Sequence, residues 1–398
     1  MIKHFRIKNN FLLSGLFFLV TLFSVGSSLV SCSDSEKIVT QTEEKIVYVD
    51  GNWMVVASKE VTVMTGESVT LNVSVGGEEE LKPEYTCTSK DANIATVAVS
   101  EDNNSIIITG VADGSTAISI ECPTNTKPLV ATIPVTVKQN AIRILAIGNS
   151  FSQDAVEQYL HELAEAEGIS TIIGNMFIGG CSLERHVKNA RENAPAYAYR
   201  KIGTDGKKRE KGKMSLEMVL ADEDWDYVSL QQASTFSGMY ETYEASLPEL
   251  IEYVKARLPK KTKLMLHQTW AYASTSNHGG FKNYNRDQLT MYHAIVDAVK
   301  KAGKAYKIKM IIPTGTAIQN ARTSFIGDHM NRDGHHLDVK VGRYTAACTW
   351  FERIFKRNVI GNPYAPESLD EARKAVAQKA AHAAVKHPYK VTDLSERR

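Results

Sequence analysis

Polar and apolar positions divide the chain into stretches of different period. Between residues 45 and 138, short runs rich in Val, Ile and Thr recur at near-regular spacing: 61–64, 69–75, 94–99, 105–109, 116–121 and 132–137. Turn-forming residues separate them, including Gly76-Gly77, Asp102-Asn103-Asn104 and Asp113-Gly114. Short strands with turn signals between them predict a small all-β sandwich. From Ala141 the pattern changes. Apolar runs at 142–147, 171–178, 227–230, 263–267 and 308–312 alternate with stretches of helical spacing at 153–167, 243–258, 286–302 and 340–355. Apolar strands between amphipathic helices predict an α/β domain with a parallel sheet covered on both faces. In such sheets chemistry gathers at the carboxyl ends of the strands. An Ala-rich helix over 369–387 closes the domain, which spans 141–390.

The first 31 residues have a third pattern. Lys3, Arg6 and Lys8 precede an apolar run over 11–25, and Leu29-Val30-Ser31-Cys32 follows. A positive flank, an apolar stretch and a small residue before the cleavage point describe a secretory signal peptide. The Leu-Val-Ser-Cys order resembles a lipobox. That resemblance implies that Cys32 becomes the lipidated N-terminus, anchoring the chain to a membrane through more than one acyl chain. Residues 32–44 are polar, acidic and aperiodic, as a tether would be. The implied location is the cell envelope of a Gram-negative bacterium, facing the periplasm or the cell surface.

Composition narrows the partners. Lys and Arg total 47 against 45 Asp and Glu, and removal of the leader takes away three of the cations. A near-neutral chain offers no broad basic surface, so nucleic acid is not an expected partner. In an oxidising compartment Cys87 and Cys122, both in the β region, could pair. Cys181 and Cys348 are expected as buried thiols, and no cysteine pair has zinc spacing.

Two short segments carry the candidate chemistry. Strand 142–147 ends in Gly148-Asn149-Ser150-Phe151-Ser152. A Ser at a tight strand-to-helix turn meets free backbone N–H groups that favour developing negative charge. It can be a nucleophile if a base is within reach; the other reading is that Ser150 or Ser152 caps the helix. Far along the chain, Asp333-Gly334-His335-His336 has the spacing Asp-x-x-His in a loop before a helix. The Asp333 carboxylate can fix the His336 tautomer and stabilise its imidazolium, with His335 expected to point elsewhere. A polar capping loop and a metal site are the alternatives. Asp328, His329, Asp333, His335, His336 and Asp338 are all ligand types, but helix-spaced His pairs are lacking, so neither a metal nor any other cofactor is expected.

With both blocks in view, the chain from about 142 to 356 resembles the SGNH (GDSL-like) hydrolase superfamily. The resemblance implies a flavodoxin-like three-layer α/β fold and a triad of Ser150, Asp333 and His336. Its second block corresponds to Ile178-Gly179-Gly180-Cys181-Ser182. This implies an oxyanion hole built from the Ser150 N–H, the Gly180 N–H and a side-chain amide. The family's third block, Gly-x-Asn-Asp, is replaced here by Leu230-Gln231-Gln232-Ala233, so Gln231 is the first choice for that amide and Gln232 the second, or a substrate contact. Trp270, after the fourth strand, is either a sugar-stacking or a packing residue. The cationic stretch 199–214 reads as an exposed hairpin or lid, either simply solvated or attractive to an acidic glycan. The segment 45–138 resembles a bacterial Ig-like domain of the second group, through Ser89-Lys90-Asp91, Ile94-Ala95-Thr96-Val97 and Ile108-Thr109-Gly110-Val111-Ala112-Asp113-Gly114. The expected function is a serine esterase removing O-acyl groups, O-acetyl above all, from extracellular carbohydrate. The competing reading is a non-catalytic glycan-binding or adhesive lipoprotein whose hydrolase domain is degenerate.

Overall fold

The computed structural model describes residues 43–395 apart from 79 and 83. The expected signal peptide, most of the tether and Cys32 lie outside them. Among the described residues no helix is long and apolar enough to cross a membrane.

The first module holds nine strands: β1 (Lys45–Val49), β2 (Asn52–Val56), β3 (Val61–Met64), β4 (Ser68–Gly76), β5 (Thr86–Ser89), β6 (Ala95–Val99), β7 (Ser105–Gly110), β8 (Gly114–Cys122) and β9 (Leu129–Lys138). They form a five-stranded sheet, β1-β2-β4-β7-β6, and a four-stranded sheet, β3-β9-β8-β5. Along β9 buried and outward residues alternate without a break, the period of a strand with one face on a core. That core joins Met54, Leu71, Ile106 and Ile108 from one sheet to Ile118, Ile120, Ile133 and Val135 from the other. Cys87 and Cys122 are free thiols, so the disulfide considered from the sequence is not made here.

The second module contains β10 (Ile142–Gly148), β11 (Thr171–Phe177), β12 (Tyr197–Ile202), β13 (Lys208–Met214), β14 (Tyr227–Leu230), β15 (Lys263–His267) and β16 (Met310–Ile312). Between and after them run α1 (Ser150–Val156), α2 (Leu160–Glu165), α3 (Leu183–Arg191), α4 (Leu216–Leu220), α5 (Tyr240–Glu244), α6 (Leu247–Lys255), α7 (Gln288–Ala305), α8 (Thr314–Arg322), α9 (Val341–Phe355) and α10 (Glu371–Lys386). One seven-stranded sheet results, β13-β12-β11-β10-β14-β15-β16. Its five parallel strands, counted along the chain, stand in the order 2-1-3-4-5. The order reverses at β10: the chain passes first to β11 on one side and later to β14 on the other. A crevice opens at the carboxyl ends where such a reversal occurs. Apart from its first residue β10 is buried throughout, because helices cover the sheet; α9 contacts α1, α2, α8 and α10, and α3 contacts α4, α5 and α6.

The two sheet edges differ. Strands β12 and β13 pair antiparallel and form the expected hairpin, and β13 at the rim exposes Lys208, Arg209, Glu210, Lys211 and Lys213. At the other rim β16 is three residues long. The Arg353 guanidinium reaches it from α9, donating to the Ile311 carbonyl at 2.9 Å and the Lys309 carbonyl at 3.3 Å.

Candidate active site

The segment after β10 is built around Asn149. Its side chain accepts from the Phe151 N–H at 2.9 Å and caps α1, so neither Ser150 nor Ser152 is the cap. Gly148 leaves no room for a side chain: a Cβ there would lie 2.6 Å from Ser152 Oγ and 2.8 Å from Gln231 Cδ. Ser152 is fully buried, bonded to the Asn149 carbonyl and to Asn175. Ser150 is half-buried and is the first residue of α1, so its N–H has no carbonyl of an earlier turn to bond. Strands β10 and β11 end level, Gly148 opposite Phe177. The Asn149 amide ties the loops that follow by donating to the Cys181 carbonyl at 3.0 Å. Gly180, in the second loop, is exposed, and among the described residues none accepts its N–H.

The Asp-x-x-His loop folds as its spacing implies. Asp333 Oδ2 lies 2.7 Å from His336 Nδ1, and its Oδ1 accepts the His336 N–H at 2.7 Å and the His335 N–H at 3.1 Å. Gly334, at φ +84°, supplies the left-handed turn that brings the imidazole back on the carboxylate. Partial burial pushes the Asp333 carboxyl up, but the hydrogen bonds from the His336 side chain and the two backbone N–H groups outweigh it. They hold the group well below the ordinary carboxylate range. An ionised partner on Nδ1 leaves His336 Nε2 as the basic nitrogen. His335 does not point elsewhere: its Nδ1 is 3.1 Å from Asp333 Oδ1, and its ring lies 4.0 Å from that of His336. A two-residue excursion through Gly334 is too tight to turn it away. His278 packs on His335 at 4.7 Å. Burial, with the neighbouring His336 charge, lowers the basicity of both rings.

The two segments are joined by a residue absent from the sequence-based site. Asp154, one turn after Ser150 on α1, is fully buried. It accepts the Leu337 N–H at 2.8 Å, Arg332 Nη1 at 3.0 Å and Arg343 Nη2 at 2.6 Å. The carboxylate thus clamps the helix that begins with Ser150 to the loop that carries His336. The Phe151 ring meets the His336 ring edge-on at 6.0 Å. Among the described residues no hydrogen bond joins Ser150 Oγ to the imidazole; catalytic contacts of this kind commonly tighten only with substrate in place.

A model of a domain of unknown function, DUF4886, matches residues 143–384. The chain belongs to this family. The crystal structure of a DUF4886 family protein from Bacteroides uniformis ATCC 8492 is 67% identical and covers 64% of this chain and 98% of that one, at a TM-score of 0.64. The crystal structure of TesA covers 54% of this chain and 96% of that one at 13% identity and a TM-score of 0.34. Domains 4 and 5 of the S-layer protein SbsC cover 24% of this chain and 53% of that one at 27% identity and a TM-score of 0.19. Both of these scores are too low to bear on function. No curated protein matches.

Three expected contacts of this DUF4886 domain are corrected by its own packing. Gln231 is buried; its amide donates to Asn149 Oδ1 at 2.8 Å and its carbonyl accepts from His267 Nδ1 at 2.7 Å. Burial holds His267 down at about 3, so the ring stays neutral, donating through Nδ1 and accepting from Thr314 Oγ1 at 3.0 Å through Nε2. Gln231 is therefore a strut for Asn149, not an oxyanion donor. Gln232 is buried too, accepting the Leu183 N–H at 2.9 Å and donating to Thr242 at 3.0 Å. It fixes the start of α3. Trp270 is fully buried, stacks on Phe151 at 4.2 Å and 3°, and donates to the His335 carbonyl at 2.8 Å. It cannot stack on a sugar; it supports the ring next to Ser150 and the histidine loop together.

Proposed function

We propose that this DUF4886 chain is an SGNH-type serine esterase that removes O-acyl groups, O-acetyl above all, from carbohydrate outside the cytoplasm. The observation that carries the reading is the Asp333–His336 pair, at 2.7 Å, on a loop that Asp154 clamps to the helix beginning with Ser150. In this reading Ser150 Oγ attacks the ester carbonyl carbon while His336 Nε2 takes its proton. Asp333 stabilises the imidazolium, which then gives the proton to the departing sugar oxygen. Water, activated by the same imidazole, releases the acyl group from Ser150. The Ser150 and Gly180 N–H groups would hold the oxyanion. Gln231, engaged elsewhere, does not join them, and a missing donor typically costs about 3 kcal/mol of transition-state stabilisation. A lipidated Cys32 would place the enzyme at the cell envelope of a Gram-negative bacterium, with the N-terminal sandwich as an Ig-like spacer.

The engaged Gln231 also favours a second reading, a glycan-binding or adhesive lipoprotein with a degenerate hydrolase domain. One assay separates them: a chromogenic acetyl ester offered to the wild type and to Ser150→Ala. Turnover by the wild type and its loss in the variant support the esterase. Equal rates, or none in either, support the binding protein. Acetate release from defined O-acetylated polysaccharides then identifies the substrate.

A further inference from the structure

We propose that Asp333, His335 and His336 form a binding site for a divalent transition-metal ion, and that occupancy of this site competes with the basic role of His336. One donor atom from each residue lies within 4.8 Å of the others. His335 Nδ1 is 3.1 Å from Asp333 Oδ1 and His336 Nδ1 is 2.7 Å from Oδ2. The carboxylate is pinned by the two backbone N–H groups described above, so the donors already converge. The side chains of Asp333, His335 and His336 are 42%, 24% and 22% exposed. An ion can enter from solvent, and water can complete its shell. Two imidazole nitrogens and one carboxylate oxygen suit zinc, nickel or copper. Magnesium and calcium prefer oxygen throughout. His278 is not a fourth ligand through Nδ1, because that atom accepts the Gly280 N–H at 3.1 Å; its ring buttresses His335.

The competition follows from the tautomer. In the esterase reading the His336 proton sits on Nδ1, facing Asp333, and Nε2 carries the lone pair. An ion bound through Nδ1 displaces that proton, which passes through solvent to Nε2 and occupies the lone pair there, so the ring remains neutral. Nε2 then has nothing with which to accept the Ser150 proton, and turnover stops until the ion leaves. Binding does not depend on the esterase reading; the loss of turnover rests on it.

Zinc chloride titrated calorimetrically into the full chain tests the site directly. The wild type should bind one ion at this site. His335→Ala and Asp333→Asn should each weaken it at least about tenfold, the lower bound for disturbing a metal shell. His293→Ala, at an exposed position on α7, should bind as the wild type does. Thermal melts followed by circular dichroism establish that the variants are folded. No zinc heat in the wild type, equal affinity in His335→Ala, or equal displacement by magnesium would overturn the site. With an acetyl ester present, zinc should lower the wild-type rate and a chelator restore it. His335→Ala, compared with its own zinc-free rate, should lose that sensitivity. An active enzyme that binds zinc through His335 and keeps its full rate would overturn the competition. If the chain turns over no ester with or without zinc, the esterase reading falls, and calorimetry alone decides the metal site.

Discussion

Replacing Asp154 with alanine removes an acceptor that bulk water cannot reach. The carboxylate holds one backbone N–H and two guanidinium groups at 2.6–3.0 Å. Breaking a buried ion pair from one side costs about 3–5 kcal/mol. The Arg332 and Arg343 side chains are 33% and 14% exposed, so water recovers part of their charge, and the low end, about 3 kcal/mol, is expected. For a domain of this size that is a fall in Tm of about 6–12 °C. Activity should suffer separately. Once the His336 loop is no longer fixed to α1, a shift on the order of 1 Å between base and nucleophile costs about 10²-fold in rate. The assay is ester turnover at 25 °C, where the variant is still folded, with kcat and KM determined apart. A large fall in kcat with little change in KM is expected. Asp154→Asn keeps an acceptor for Leu337 but loses the charge, and should fall between. An Asp154→Ala protein that melts with the wild type, or melts early but keeps the wild-type kcat while folded, would refute the clamp.

Three further outcomes follow from the same geometry. Gln231→Ala strands the His267 donor and an Asn149 acceptor, costing about 1–3 kcal/mol, while its rate should drop by less than the roughly 10²-fold of a lost oxyanion donor; a larger drop at unchanged Tm would restore Gln231 to the oxyanion hole. Gly334→Ala forces a Cβ at φ +84° to within 3.1 Å of Ser276 Cα, so a loss of about 1–2 kcal/mol is expected, and an unchanged melt would show a loop free to relax. The depressed carboxyl of Asp333 contributes stability above its unfolded pKa of about 3.9 and loses it as pH falls through the lower folded value. The urea-midpoint gap between the wild type and Asp333→Asn should therefore close as pH falls below about 4; a gap that persists undiminished in strong acid contradicts the hydrogen-bond account.

The strands β14 and β15 occur at the bounds expected from pattern alone, because strands buried on both faces leave short, mostly apolar runs between the amphipathic helices. Helix α8 escaped the same reasoning. It follows Pro313 and is buried along its whole length with Thr, Gly, Gln and Asn in it, so it shows no apolar stripe. The expected helix over 153–167 is two helices, broken where Tyr159 takes φ +70°, and α1 begins three residues earlier because Asn149 caps it. Within the site, the Asp-x-x-His pair was legible because three residues of loop fix its geometry. The direction of the Gln231 amide was not: it depends on His267, 36 residues away. Asp154 left one signal, an acid beside Phe151 and Ala155 on a helix with little exposed surface, but its partners lie about 180 residues downstream.

An open sheet can recruit a second copy of itself through the unpaired backbone of its outer strands, a hazard for any protein crowded at a surface. Here the two rims guard against it by different means. Stacking another β13 on the first would set lysine against lysine, while at β16 the carbonyls a newcomer would need are already taken by Arg353. A charge-neutralised β13 should therefore dimerise before an Arg353 variant does, since the stub that Arg353 protects is too short to hold a second copy.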